Sequence, residues 1–260
     1  MRLPIYQIDA FADRVFAGNP AAVVPLDEWL PDATLQAIAA ENNLSETAFF
    51  VRQGETYALR WFTPMVEVDL CGHATLASAY VVFRFLEPQR RRISFETRKS
   101  GTLVVWRQGD ELAMDFPAWV AEPCEAPSGL AVALGRNPSE VLAARAYLAV
   151  YERESDVAAI KPDFAALKRL GQAVIVTAPG GDGIDFVSRF FAPGVGLDED
   201  PVTGGAHCQL IPYWAKRLGK RQLSARQISS RGGALSCGIE GDRVIIAGQG
   251  QLYLEGRITL

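Results

Sequence analysis

The chain carries its pattern twice. Arg60-Trp-Phe-Thr-Pro-Met-Val-Glu-Val-Asp69 lies without a gap over Arg189-Phe-Phe-Ala-Pro-Gly-Val-Gly-Leu-Asp198, with Arg, Phe, Pro, Val and Asp at matching offsets 129 residues apart. Gly101-Thr-Leu103 with Gly109-Asp-Glu-Leu112 lies over Gly233-Ala-Leu235 with Gly241-Asp-Arg-Val244, 132 apart, and Pro31-Asp32 over Pro162-Asp163, 131 apart. Three collinear matches at nearly constant displacement point to two copies of one unit, and the displacement is about one domain long. The Pro-rich stretch from Phe116 to Pro127 falls between the copies and has linker composition. The reading divides the chain into an N-terminal half-domain at 1–117, a linker at 118–128 and a C-terminal half-domain at 129–260, whose last strand can return to the first half.

Both copies spell one order of elements. An amphipathic helix (32–41; 163–170) precedes a β-branched or aromatic strand (47–51; 173–177), and a second strand leads into a glycine-containing loop. An apolar segment too long for a strand follows (74–86; 206–218), then strands at 103–106 and 111–116 in the first copy and at 226–230, 234–240 and 243–247 in the second. Leu76, Ala77, Ala79, Tyr80, Val81, Val82 and Phe83 leave the helix after the first loop no polar face, so it is read as buried. A buried helix wrapped by mostly antiparallel strands is an α+β half-domain, and two side by side leave a cleft between facing loops.

Composition excludes several partners. A formal net charge of -4 gives no basic face for nucleic acid or an anionic membrane, and Arg90-Arg-Arg92 is read as a solvated turn. The start, with Leu3-Pro-Ile-Tyr-Gln-Ile8, lacks the pattern of a signal peptide, and no apolar run is long enough to span a bilayer, so the expected location is the cytoplasm. Cys71, Cys124, Cys208 and Cys237 are far apart and form no CxxC, which argues against a disulfide framework. A zinc site needs a third and a fourth ligand at recognisable spacing, and none is legible; the expectation is no metal and no cofactor.

The candidate chemistry sits in the two loops, Cys71-Gly-His-Ala-Thr75 and Asp200-Pro-Val-Thr-Gly-Gly-Ala-His207. Helix N-termini offer unpaired backbone N–H groups and partial positive charge, so Gly72 and His73 in one copy and Gly204 and Gly205 in the other are candidate donors to a carboxylate or oxyanion. Glu46, just before the apolar run Ala48-Phe-Phe-Val51, is either a solvated turn residue or a carboxylate whose pKa hydrophobic surroundings raise. His73 is either a helix-cap residue or a relay partner of Asp200, which could itself be an N-cap and for which Asp69 or Asp198 could substitute; His207 is read as structural. Cys71 faces Val202 when the copies are aligned, so a racemase using one thiol from each copy lacks its second thiol, and Cys71 is read as buried and unreactive.

Gly18-Asn-Pro-Ala-Ala-Val23, Asn43-Leu-Ser-Glu-Thr-Ala-Phe49, Leu70-Cys-Gly-His-Ala-Thr75, Arg189-Phe-Phe-Ala-Pro-Gly-Val195, Glu199-Asp-Pro-Val-Thr-Gly204 and Ser230-Arg-Gly-Gly233 occur in the order, and nearly across the length, of the phenazine-biosynthesis-like (PhzF-like) family, which the chain resembles. The resemblance implies a diaminopimelate epimerase-like fold of two pseudo-symmetric half-domains, each a mostly antiparallel β-barrel around a central helix. It also implies a homodimer and a cofactor-independent isomerase that moves a proton on a small carboxylate-bearing metabolite. The family's acid/base glutamate maps onto Glu46, its histidine onto His73 and its aspartate onto Asp200. Where the family commonly has Ser after Thr-Gly, this chain has Gly205, so a hydroxyl contact to substrate is missing. The rival readings are a two-base cysteine racemase or epimerase, and a non-catalytic binding or scaffold protein on the same fold.

Overall fold

The computed structural model describes residues 1–260. The chain forms two compact units, Met1–Asp115 with Ala247–Leu260, and Phe116–Ile246. The first unit contains β1 (Arg2–Ala10), β2 (Asn19–Leu26), α1 (Asp32–Asn42), β3 (Glu46–Gln53), β4 (Thr56–Phe62), β5 (Glu67–Val68), α2 (Gly72–Val81), β6 (Arg92–Thr97), β7 (Thr102–Gln108) and β8 (Glu111–Pro117). The second contains β9 (Glu122–Pro123), α3 (Leu130–Leu134), β10 (Glu140–Ala143), β11 (Tyr147–Val150), α4 (Glu154–Ala158), α5 (Phe164–Arg169), β12 (Val174–Pro179), β13 (Phe186–Ala192), β14 (Leu197–Asp200), α6 (Gly204–Leu218), β15 (Gln222–Gln227), β16 (Gly233–Glu240) and β17 (Arg243–Gly248). The last strand, β18 (Gly250–Thr259), runs antiparallel to β1 from Arg2↔Thr259 to Ala10↔Gly250 and completes the first unit.

Residues 247–260 belong to the first unit, because β1 takes β18 as its outer neighbour, so the last strand returns to the first half and the second unit ends at Ile246 rather than at 260. The expected linker at 118–128 is part of the second unit: β9 pairs with β10, Ala118 N–H reaches Asp242 O at 2.8 Å, and Trp119 N–H reaches Cys208 O at 2.8 Å. The last bond has a covalent cause. Pro212 sits inside α6 without an N–H, so the Cys208 carbonyl four residues earlier loses its helical donor and Trp119 supplies the replacement.

The duplication extends to strand pairing. In the first unit β1–β2 is antiparallel, β2–β3 parallel, β3–β4 antiparallel, β4–β6 parallel and β6–β7 antiparallel. In the second, β10–β11, β11–β12, β12–β13, β13–β15 and β15–β16 follow the same alternation. Parallel neighbours cannot be joined by a tight turn, so each parallel step needs a crossover. Here α1 and α2 serve the first unit, and α4 with α5, then α6, serve the second.

Every residue of α2 except Gly72 and Tyr80 is buried, and the helix packs on β1, β2, β3 and β18. After Val81 it widens into a π turn, Val82–Leu86, so the apolar segment expected at 74–86 is α-helix followed by π-helix. One strand was misplaced: the segment expected at 226–230 forms β15 at Gln222–Gln227, and Ser229 instead closes a loop by donating to Pro201 O at 2.8 Å. No helix is long and apolar enough to cross a membrane.

Candidate active site

The site in the first unit begins with a glycine that cannot be replaced in place. Gly18 has φ +65, and a Cβ there would lie 2.2 Å from Ala10 O and 2.8 Å from Ala12 Cβ. The turn it permits sets Asn19 at the head of β2. Parallel pairing of β2 with β3 places Ala21 opposite Glu46, which brings the starts of both strands to one edge. At that edge lies the N-terminus of α2, carrying Cys71 as its N-cap and His73 in its first turn.

His73 is 5% exposed and is touched on three sides. Its Nε2 lies 3.1 Å from Glu46 Oε2, its Nδ1 3.2 Å from the Asn19 side-chain amide, and Cys71 Sγ lies 3.5 Å from Nδ1 and 3.9 Å from Nε2. The amide of Asn19 serves the ring in either protonation state, donating to a bare Nδ1 through nitrogen or accepting from a protonated one through oxygen.

Burial pushes the Glu46 carboxyl up, but the His73 charge and contacts from His73 and Cys71 outweigh it and hold the group below its ordinary value. The raised pKa expected from the apolar run after Glu46 is thereby corrected: the run lies on β3, while the carboxylate meets an imidazole. Burial pushes His73 down, and the Cys71 sulfur and Glu46 carboxylate more than reverse it, leaving the imidazole well above 6.5. Burial and the Glu46 charge push the Cys71 thiol up to about 11, so it is protonated at neutral pH. Glu46 and His73 therefore form an imidazolium–carboxylate pair beside a thiol.

Asp200 and the second glycine pair belong to the second unit. Asp200 is 6% exposed, and its Oδ2 accepts from Thr203 Oγ1 at 2.5 Å. Gln227 ties the same turn by donating to Asp200 O at 2.8 Å and accepting from Thr203 N–H at 2.9 Å. Gly204 and Gly205 open α6 beyond it. His207 Nδ1 donates to Thr203 O at 2.8 Å, and burial lowers its pKa to about 4, so this histidine is a neutral structural group.

The helix caps also correct an alignment. Cys71 caps α2 with φ -142 and ψ 110, and Thr203 caps α6 with φ -117 and ψ 100. The counterpart of Cys71 is therefore Thr203 rather than Val202, and its hydroxyl is bonded to Asp200. The second thiol that a two-cysteine racemase needs is missing in either alignment.

Two site residues escaped the sequence reading. Asn19 stood inside the quoted Gly18-Asn-Pro motif, but only the fold shows that it meets His73; Gln227 lay in the misplaced strand and gave no signal. The sequence shows no third and fourth zinc ligand at recognisable spacing, but the fold gathers three potential donors by bringing Glu46 to Cys71 and His73. Glu46, Cys71 and His73 each offer a ligand atom, all within 4.8 Å of one another, because β3 meets the start of α2.

Comparison with known proteins gives this arrangement its context. Residues 8–256 match the family model described as phenazine biosynthesis-like protein. The chain is 55% identical over 260 residues, covering all of both chains, to a protein of Pseudomonas aeruginosa named an uncharacterized isomerase. A crystal structure of a phenazine biosynthesis protein of the PhzF family from Enterococcus faecalis superposes with a TM-score of 0.97 at 49% identity, covering all of both chains. A hydroxyproline epimerase from Agrobacterium vitis shares the fold, with a TM-score of 0.60 at 12% identity over 99% of this chain and 92% of its own. The class defined by this fold and these relatives is an isomerase on an epimerase-like scaffold. Within that class the chain belongs to the phenazine biosynthesis-like, or PhzF, family.

Proposed function

We propose that the chain moves a proton on a small carboxylate-bearing metabolite using its own side chains, without an organic cofactor. The observation that carries this reading is the ion pair of Glu46 and His73, 3.1 Å apart at the N-terminus of a buried helix. Ionised Glu46 takes a proton from carbon adjacent to the substrate's unsaturated or carboxylate group. The negative charge that develops is held by His73 and by the first-turn N–H groups of Gly72 and His73, which have no helical partner. Glu46 then returns the proton at a second carbon. Asp200 orders the start of α6, where Gly204 and Gly205 are assigned to binding the substrate carboxylate.

A carboxylate held below its ordinary pKa is a weak base. Stabilisation of the developing charge must therefore supply most of the acceleration, and base strength little. Cys71 has no part in the reaction, because at neutral pH its thiol has nothing to take a proton with.

The test is to incubate the chain with small unsaturated and α-substituted carboxylates in heavy water and follow deuterium entering carbon. For a substrate that exchanges, Glu46→Gln is expected to lower kcat/KM by about 100- to 10,000-fold. Turnover within a few-fold of the native rate rejects Glu46 as the base, and exchange into no carboxylate at all favours a binding protein on the same scaffold.

A further inference from the structure

The reaction above leaves the sulfur of Cys71 unused, although it lies 3.9 Å from the His73 nitrogen that faces Glu46. We propose that Glu46, Cys71 and His73 form a three-donor site for a thiophilic divalent cation such as Zn²⁺, whose binding takes Glu46 and His73 out of proton transfer. The binding stands on the geometry alone, and the loss of turnover rests on the proposed reaction.

Donor chemistry is the first support. Thiolate, imidazole and carboxylate are the ligands Zn²⁺ takes in proteins, whereas Mg²⁺ and Ca²⁺ favour sites built wholly of oxygen. Spacing is the second. A tetrahedral Zn²⁺ with bonds of about 2.0 Å to oxygen, 2.1 Å to nitrogen and 2.3 Å to sulfur holds nitrogen and oxygen about 3.3 Å apart and nitrogen and sulfur about 3.6 Å apart. Here Nε2 is 3.1 Å from Glu46 Oε2 and 3.9 Å from Cys71 Sγ, which lies 3.5 Å from Nδ1, so a change of the Cys71 side-chain torsion that carries the sulfur away from Nδ1 toward Nε2 completes the chelate.

Orientation is the third support. The amide of Asn19, 3.2 Å from Nδ1, fixes the ring with Nε2 toward Glu46, as outer partners fix metal-bound histidines. Three protein ligands leave a fourth position for water or a substrate oxygen, the pattern of an open zinc site. On binding, the cation displaces the proton between Nε2 and Glu46 and the thiol proton of Cys71, and both leave to solvent.

The full chain is titrated with Cd²⁺ while the thiolate-to-cadmium absorption in the near ultraviolet is followed, and Zn²⁺ is then used as competitor. One Cd²⁺ per chain is expected, displaced by Zn²⁺ and not by excess Mg²⁺. The band is expected to vanish in Cys71→Ala and Cys71→Ser, each checked by far-UV circular dichroism for a native fold. Affinity should fall by at least about tenfold in Glu46→Gln and in His73→Gln. The exposed thiol supplies the control: Cys124→Ala should bind as the native chain does.

A band that survives in folded Cys71→Ala, that is lost in Cys124→Ala, or that never develops overturns the site. Binding of one Zn²⁺ per chain with deuterium exchange unchanged overturns the shut-off, and with it the role of Glu46 and His73 in proton transfer, while leaving the chelate standing.

Discussion

The charge on His73 is decided by its neighbours, and its pH dependence has two edges. The imidazole lies above its ordinary 6.5, so its stabilising share is complete below pH 6.5 and disappears as pH rises through the raised value. The Glu46 carboxyl lies below its ordinary 4.5, so its share is complete above pH 4.5 and disappears as pH falls through the lowered value. The pair thus contributes fully between 4.5 and 6.5. The difference in Tm between the native chain and Glu46→Gln is expected to be widest there and to narrow on both sides; a difference independent of pH rejects the ion pair. Gly205 gives a second residue-scale prediction. A Cβ there would come no closer than 3.9 Å to the Trp119 ring, so Gly205→Ser fits and should leave stability within about 0.5 kcal/mol by urea denaturation. Glu46 and His73 were legible as candidates from their motifs, but their contact was not. They are 27 positions apart, and the sign of the Glu46 shift depends on a neighbour that the residues around it in the sequence do not reveal.

Among the elements, the repeated Arg of β4 and β13 shows what the sequence match encoded. Arg60 Nε and Nη2 each lie 2.7 Å from the oxygens of Glu67, and Arg189 forks onto Glu199 at 2.8 and 2.9 Å, tying each strand to the segment ahead of its buried helix. Arg60 also reaches Asp32 at 2.8 Å and lies over the rings of Trp29 and Phe62. Lysine keeps the charge but cannot make the fork. Arg60→Lys is expected to cost about 1–3 kcal/mol in urea denaturation, while exposed Arg91→Lys changes nothing measurable. The buried helix α2 was legible because a segment apolar all round has one solution. The strand at 222–227 was not, because Gln222-Leu-Ser-Ala-Arg-Gln227 has no β-branched residue and its pairing with β13 and β16 places it.

For the whole molecule, the duplication was readable from a handful of Arg, Gly and Pro positions, since those residues hold ion pairs and turns that both copies must make. Gly109 and Gly241, 132 apart, both keep φ near +60 in their turns. The return of the last strand to the first half was readable, but its register against β1 was not, because pairing sets the register. Deleting residues 250–260 should therefore abolish amide-exchange protection in β1 and spare β12 and β13 in the continuous second unit. Equal loss of protection in both units would reject that division of the chain.

The pairing of β1 with β18 also sets a timetable for synthesis. β1 is made roughly 240 residues before its outer partner, which at about 5–20 residues per second is tens of seconds on the ribosome. Phe116–Ile246 can fold during that interval, because all its strands are contiguous in sequence. Throughout it β1 presents an unpaired strand edge, the feature that recruits strands from other chains. A nascent chain stalled before residue 250 is thus exposed to strand exchange at β1.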